Sequence, residues 1–117
     1  MINMIDVFIS VEKRLNSTLL SLGVPVERLR YTGKADAFIT FMRLTFNESN
    51  FADDDETTYE YSFRVDIFSR ADYTDLLKRT IQALKGAEFN GFSVMPEMYE
   101  NDTGYYHVPV EFLFTEV

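Results

Sequence analysis

Asp102-Thr103-Gly104 is the tripeptide around which aspartic proteases build a catalytic carboxylate, and the chain's only histidine, His107, follows shortly after it. In that chemistry two aspartates share one proton, because two like charges about 3 Å apart cannot both ionise. The sequence holds a single copy, so a catalytic pair would need a homodimer. The residues ahead of it are Glu100 and Asn101, where apolar strand residues would be required, and no flap-like glycine hairpin is evident. The same letters are dense in turn formers, and Gly104 is suited to positive φ. They predict a turn between two strands.

His107 alternates with Tyr105, Pro109 and Glu111, opposite Tyr106, Val108, Val110, Phe112 and Phe114. That places it on the outer surface of a sheet, as a candidate contact residue. A lone histidine cannot supply a His-rich metal site, and no Asp or Glu stands at ligand spacing from it. With no cysteine, disulfides, thiolate catalysis and thiolate metal sites are excluded. The run Asp53-Asp54-Asp55-Glu56 is acidic enough for Ca²⁺, but an EF-hand loop alternates its ligands around a central glycine. Consecutive acids point in different directions, so this run reads as a solvated or partner-contacting loop. No nucleophile elbow surrounds a serine, and the glycines are scattered at turns. The sequence therefore predicts no catalytic residue, no metal site and no cofactor: the protein is expected not to be an enzyme.

The elements that must carry these residues fit one domain of 117 residues, with 46% hydrophobic and 15% aromatic content. Eleven Lys and Arg against 19 Asp and Glu give a net charge of −8. A surface of that sign disfavours nonspecific nucleic-acid binding through a basic face. The N-terminal segment lacks a basic start and is interrupted by Asp6, Glu12, Lys13 and Arg14, so it reads as neither a signal peptide nor a membrane span. Three Asn-x-Ser/Thr sequons, at Asn16, Asn47 and Asn101, read as chance matches without a secretory signal.

Residues 3–22 place Met4, Ile5, Phe8, Ile9, Val11, Leu15, Leu19 and Leu22 largely on one helical face, with Gly23 as the stop and Pro25 beyond it. Residues 26–36 read as a connector, and residues 37–46 as a strand with Phe38, Thr40, Met42, Leu44 and Phe46 on one face. Residues 47–56 read as a loop. The strand that follows has the cleanest alternation, Tyr59, Tyr61, Phe63, Val65 and Ile67 against Thr58, Glu60, Ser62, Arg64 and Asp66. A second helix starts near Asp72, ends at Gly86, and buries Tyr73, Leu76, Leu77, Thr80, Ile81 and Leu84. Residues 92–99 form a third strand weakened by Pro96, which suggests an edge or a bulge. Residues 105–115 form the fourth. The expected fold is α+β, in the order α-β-β-α-β-β, with two helices on one face of a mainly antiparallel four-stranded sheet. Large apolar groups are then in surplus. Residues 37–46 are apolar on both faces, and Phe51 and Phe68 fall on outer positions, which points to burial against another subunit. Phe46, Phe51, Asp53, Asp54, Asp55, Glu56, Phe68 and His107 are the candidate subunit or partner contacts.

Four short segments carry a family resemblance: Tyr31-Thr32-Gly33, Val65-Asp66-Ile67-Phe68-Ser69, Asp72-Tyr73-Thr74-Asp75-Leu76, and the stretch from Tyr99 to His107. Together they resemble the small tail terminator, or tail-to-head joining, proteins of long-tailed phages and prophages of Gram-positive bacteria. The resemblance runs from about residue 30 to the end. It implies a non-enzymatic protein of the virion tail, assembled in the host bacterial cytoplasm. Such a protein forms a ring, typically of six subunits, on the last ring of the tail tube. It stops tube growth and offers the surface that joins the head-completion or neck protein. DNA passes through without specific binding, and no membrane is involved. Another neck or tail-completion role in the same particle, or an α+β module binding a small ligand or peptide, stays open on the residues alone.

Overall fold

The computed structural model describes residues 4–50 and 57–116. Its elements are α1 (Met4–Leu20), β1 (Val26–Arg28), β2 (Ala37–Asn50), β3 (Thr57–Ser69), α2 (Thr74–Gly86), β4 (Asn90–Val94), β5 (Met98–Glu100) and β6 (Tyr105–Glu116). The sheet runs β1-β2-β3-β6-β4, and β5 pairs with β6 beyond the end of β4. It is thus a six-stranded mixed sheet, and the expected four antiparallel strands are corrected at both edges.

The first correction lies in the connector. Ile39 donates its N–H to the Pro25 carbonyl at 2.9 Å and Leu29 donates to Phe41 at 2.8 Å. Val26–Arg28 therefore runs parallel to β2 as a short strand. Three residues are too few to show a period in the sequence. The second correction is at Pro96. Met95 donates to the Pro109 carbonyl at 2.9 Å, but Pro109 has no N–H to return the bond. Pro96 follows immediately, and it has no donor either. The edge strand breaks there into β4 and β5, both paired with β6.

β2 and β3 pair antiparallel from Ala37–Ser69 to Asn50–Thr57, so residues 47–50 extend the strand where a loop was expected. Between Arg43 and Phe46 two residues of β2 face one of β3. The bulge is held by Ser62, whose Oγ accepts the Thr45 N–H at 3.0 Å. One extra residue inverts side-chain parity. Phe46 therefore joins Ile39 and Phe41 on the helix side, packing on Phe8, Tyr59 and Tyr61, and leaves the face it was expected to share with Phe38 and Met42.

Both helices lie on that face. Phe8, Val11, Leu15, Leu19 and Leu22 of α1 and its exit, with Leu76 and Leu84 of α2, close over the inner residues of β2, β3 and β6 in one continuous core. Arg43 spans the α1–β2 seam, pairing with Glu12 at 3.1 Å through its second amino group, with its guanidinium 5.5 Å from the centre of the Phe8 ring. α2 starts where Asp72 Oδ1 accepts the Thr74 N–H at 2.9 Å. It ends with Glu88 N–H bonded to Lys85 and Phe89 N–H to Leu84, the paired bonds of a Schellman cap. The left-handed residue of that cap is Glu88, at φ 75°, and Gly86 is the last helical residue.

Candidate interaction faces

The outer face of the sheet holds a second, smaller cluster. Phe38 on β2, Phe68 on β3 and His107 on β6 are successive neighbours across the ladder. Their rings stack: Phe38 on Phe68 at 4.4 Å between centroids, and Phe68 on His107 at 4.1 Å, with planes 11° and 18° apart. Tyr31 extends the row, its ring 4.3 Å from Phe38, and Tyr105 stands edge-on to Phe38 at 5.1 Å. In-register residues on one face of adjacent strands lie about 5 Å apart, so an aromatic at each position has to stack.

Neither α1 nor α2 covers this row; two loops do. The Tyr105 hydroxyl donates to the Ala35 carbonyl at 2.6 Å, and Ala35 N–H donates to the Tyr31 hydroxyl at 3.2 Å. Arg70 lies 4.5 Å from the centre of the Tyr105 ring and reaches the carbonyls of Thr103 and Lys34. The connector before β2 and the turn before β6 are thereby drawn onto one patch.

Next to the row sits a charged group. His107 Nε2 is 2.7 Å from Asp66 Oδ1, and the same oxygen accepts from Arg64 at 2.8 Å. The side chains of Asp66 and His107 are only 11% and 14% exposed. Burial works against charge on Asp66. The hydrogen bonds from His107 and Arg64 outweigh it and hold the carboxyl below its usual range. The bond to Asp66 in turn raises Arg64. Glu100 Oε2 lies 3.9 Å from His107 Nδ1.

Of the residues singled out in the sequence, Phe68 and His107 meet in the outer row. Phe46 lies on the opposite face. Phe51, Asp53, Asp54, Asp55 and Glu56 lie outside the described residues. Asp102 is exposed in a turn closed by the Gly104 N–H on the Glu100 carbonyl at 2.8 Å, with Gly104 at φ 77°; the turn reading of this tripeptide holds. Among the described residues no three His, Asp or Glu gather as a metal-binding group. Among the described residues no helix is long and apolar enough to cross a membrane.

Alternation places Asp66 and Arg64 on the face of β3 opposite the core, a face expected to be wet or to contact a partner. The available signal was His107 itself, a base on the polar side of β6, which one diagonal step brings to an acid on the polar side of β3.

Two further surfaces flank the sheet. At the β4–β5 edge, Val94, Met95, Met98, Tyr99 and Tyr106 are exposed. Beside them, Tyr73 donates its hydroxyl to Glu97 at 2.7 Å across a cleft of about 430 Å³ lined by residues 70–74, Glu97 and Tyr106. At the β1 edge Leu29 is 59% exposed.

No protein-family model matches the chain, and no curated protein sequence matches it. Among solved structures it is similar to a chain from the virion of a native gene transfer agent particle, at 13% identity over 88% of each chain, with a TM-score of 0.48.

Proposed function

We propose that this chain is a non-enzymatic structural protein of a phage-type virion that caps the tail tube as a ring, stops its growth and carries the surface that joins the head. The observation that supports this reading is where the four resemblance segments lie. Tyr31 comes from the first, Asp66 and Phe68 from the second, and Tyr105 and His107 from the last. These residues form one aromatic and ionic cluster on the outer face of the sheet. The remaining segment starts α2 on the other side of the sheet, where Tyr73 lies ring to ring with Tyr106 at 6.4 Å. Three segments distant in sequence thus meet in one piece of architecture, which suits a signature of assembly rather than catalysis.

In this reading the subunit associates with further copies, six in the completed ring, and with the tail tube and neck proteins. DNA crosses the ring's lumen without specific contacts, a passage that the net charge of −8 favours by repelling phosphate. Phe51 and the acids Asp53 to Glu56 belong to the contacts with the tube or the next subunit. Electron microscopy of purified protein mixed with growing tail tubes tests the proposal. Capped tubes of arrested length with a terminal ring are expected; tubes that elongate unhindered and stay bare overturn it. Removing residues 49–55 is expected to abolish capping, and unchanged capping overturns the assignment of that loop.

A further inference from the structure

The sheet ends in two unlike edges that match one another. At the β1 edge, Arg30 N–H bonds the Arg28 carbonyl at 2.8 Å across Leu29, whose φ is 69°. This is the non-inverse γ-turn, the rarer and more strained form, and a leucine at positive φ adds to the cost. The turn pushes out an apolar side chain that is 59% exposed. Strain held around an exposed leucine marks a surface with a use beyond folding. Around it, residues 24–34 carry Arg28, Arg30 and Lys34 against the single acid Glu27.

At the opposite edge, residues 90–104 carry Glu97, Glu100 and Asp102 and no lysine or arginine. Here the apolar groups are Val94, Met95, Met98 and Tyr99, and next to them opens the cleft walled by Tyr73, Tyr106 and Glu97. One edge is thus a leucine between arginines, of which Arg28 also lies 3.6 Å from Glu12, and the other a cleft of mixed lining walled by two tyrosines, in which Asp72 and Glu97 outnumber the cation Arg70.

We infer that these edges bind each other between copies of this chain, head to tail, with Leu29 of one subunit entering the Tyr73–Tyr106–Glu97 cleft of the next. Arg28 and Arg30 then face Glu97 and Glu100. The occupant is a second copy because the two halves of the contact, apolar and charged, are both present on this one chain. Two different surfaces at opposite edges make the contact heterologous, which propagates and closes into a ring when the rotation permits. The local match of opposite charge also offsets the repulsion between subunits of net charge −8. The inference rests on the proposed ring and names the surfaces that build it.

The cysteine-free chain allows a direct test with the double variant Leu29→Cys/Ala71→Cys, since Ala71 lines the cleft and is exposed. Oxidation of concentrated protein should give a ladder of dimers, trimers and higher species on a non-reducing gel. Dimers alone would show a two-fold contact and overturn the inference, as would no cross-link at all. Charge reversal is independent of cysteine chemistry. Arg28→Glu/Arg30→Glu and Glu97→Lys/Glu100→Lys should each weaken self-association roughly tenfold or more, and an equal mixture of the two should restore it. Weakening without restoration overturns the pairing. Rings on tubes without the ladder would sink this interface and leave the tube-capping reading intact. A ladder from protein that leaves tubes uncapped would do the reverse.

Discussion

His107 Nε2 and Asp66 Oδ1 lie 2.7 Å apart on the face of the sheet opposite α1 and α2, and both side chains are largely shielded from water. The pair joins β3 to β6 diagonally, and Arg64 completes the coordination of the carboxylate. It turns part of the non-core face of the sheet into a second, ion-paired cluster.

Asp66→Asn should therefore destabilise the fold by about 1–3 kcal/mol, because His107 and Arg64 each lose a charged acceptor in a shielded site. Chemical denaturation at neutral pH measures it. The pH dependence has a definite sign. The Asp66 carboxyl is held below its unfolded value, so its contribution is present above that unfolded value and is lost as pH falls through the folded one. Melting temperature followed down from pH 6 should show a steeper acid limb in the wild type than in Asp66→Asn. Parallel limbs would refute the role of this carboxylate.

Phe68 sits between two rings, Phe38 at 4.4 Å and His107 at 4.1 Å. Phe68→Ala should cost about 2–3 kcal/mol, below the range for a fully enclosed phenylalanine because this one is half-buried. It should also free the loops that the row supports, seen as faster amide exchange across residues 29–36. Leu44→Ala, on an exposed side chain of the same sheet, should stay within about 0.5 kcal/mol.

The bulge at Leu44-Thr45 decides which way Phe46 points. Deleting Thr45 removes the extra residue, so Arg43, Leu44 and Phe46 alternate simply opposite Phe63, Ser62 and Tyr61, and Phe46 keeps its contacts with Phe8 and Tyr61. Only the hydrogen bonds from Thr45 to Ser62 are lost, so a cost of about 1 kcal/mol and unchanged binding of a hydrophobic dye are expected. A much larger loss with increased dye binding would show that the inward position of Phe46 needs the bulge itself.

Glu88 holds the left-handed position of the α2 cap at φ 75°. A non-glycine residue there costs about 1 kcal/mol, so Glu88→Gly should raise stability by a similar amount, less the entropy glycine adds to the unfolded chain. A small upward shift in melting temperature is the expected outcome; a fall would show that the Glu88 side chain outweighs its backbone strain.

Much of this architecture is written in local pattern. The apolar period of α1, the alternation of β3 and β6, and the turn at Asn101–Gly104 each follow from residues close in sequence. These residues decide which side of an element is buried before any partner is present. Both helices accordingly lie on the one face where those stripes meet.

What the pattern could not decide depended on partners far along the chain. Three residues become β1 only because Ile39 and Phe41 offer ladder partners. The third strand divides because Pro109, on another strand, lacks the donor that Met95 would need. The parity of Phe46 turns on a bulge fastened by Ser62. The stacked row from Tyr31 to His107 exists because register sets three strands side by side and two loops fold down over them. Local sequence determined the elements and their buried sides; pairing between distant segments decided the sheet's edges, its register and the face where its signature residues meet.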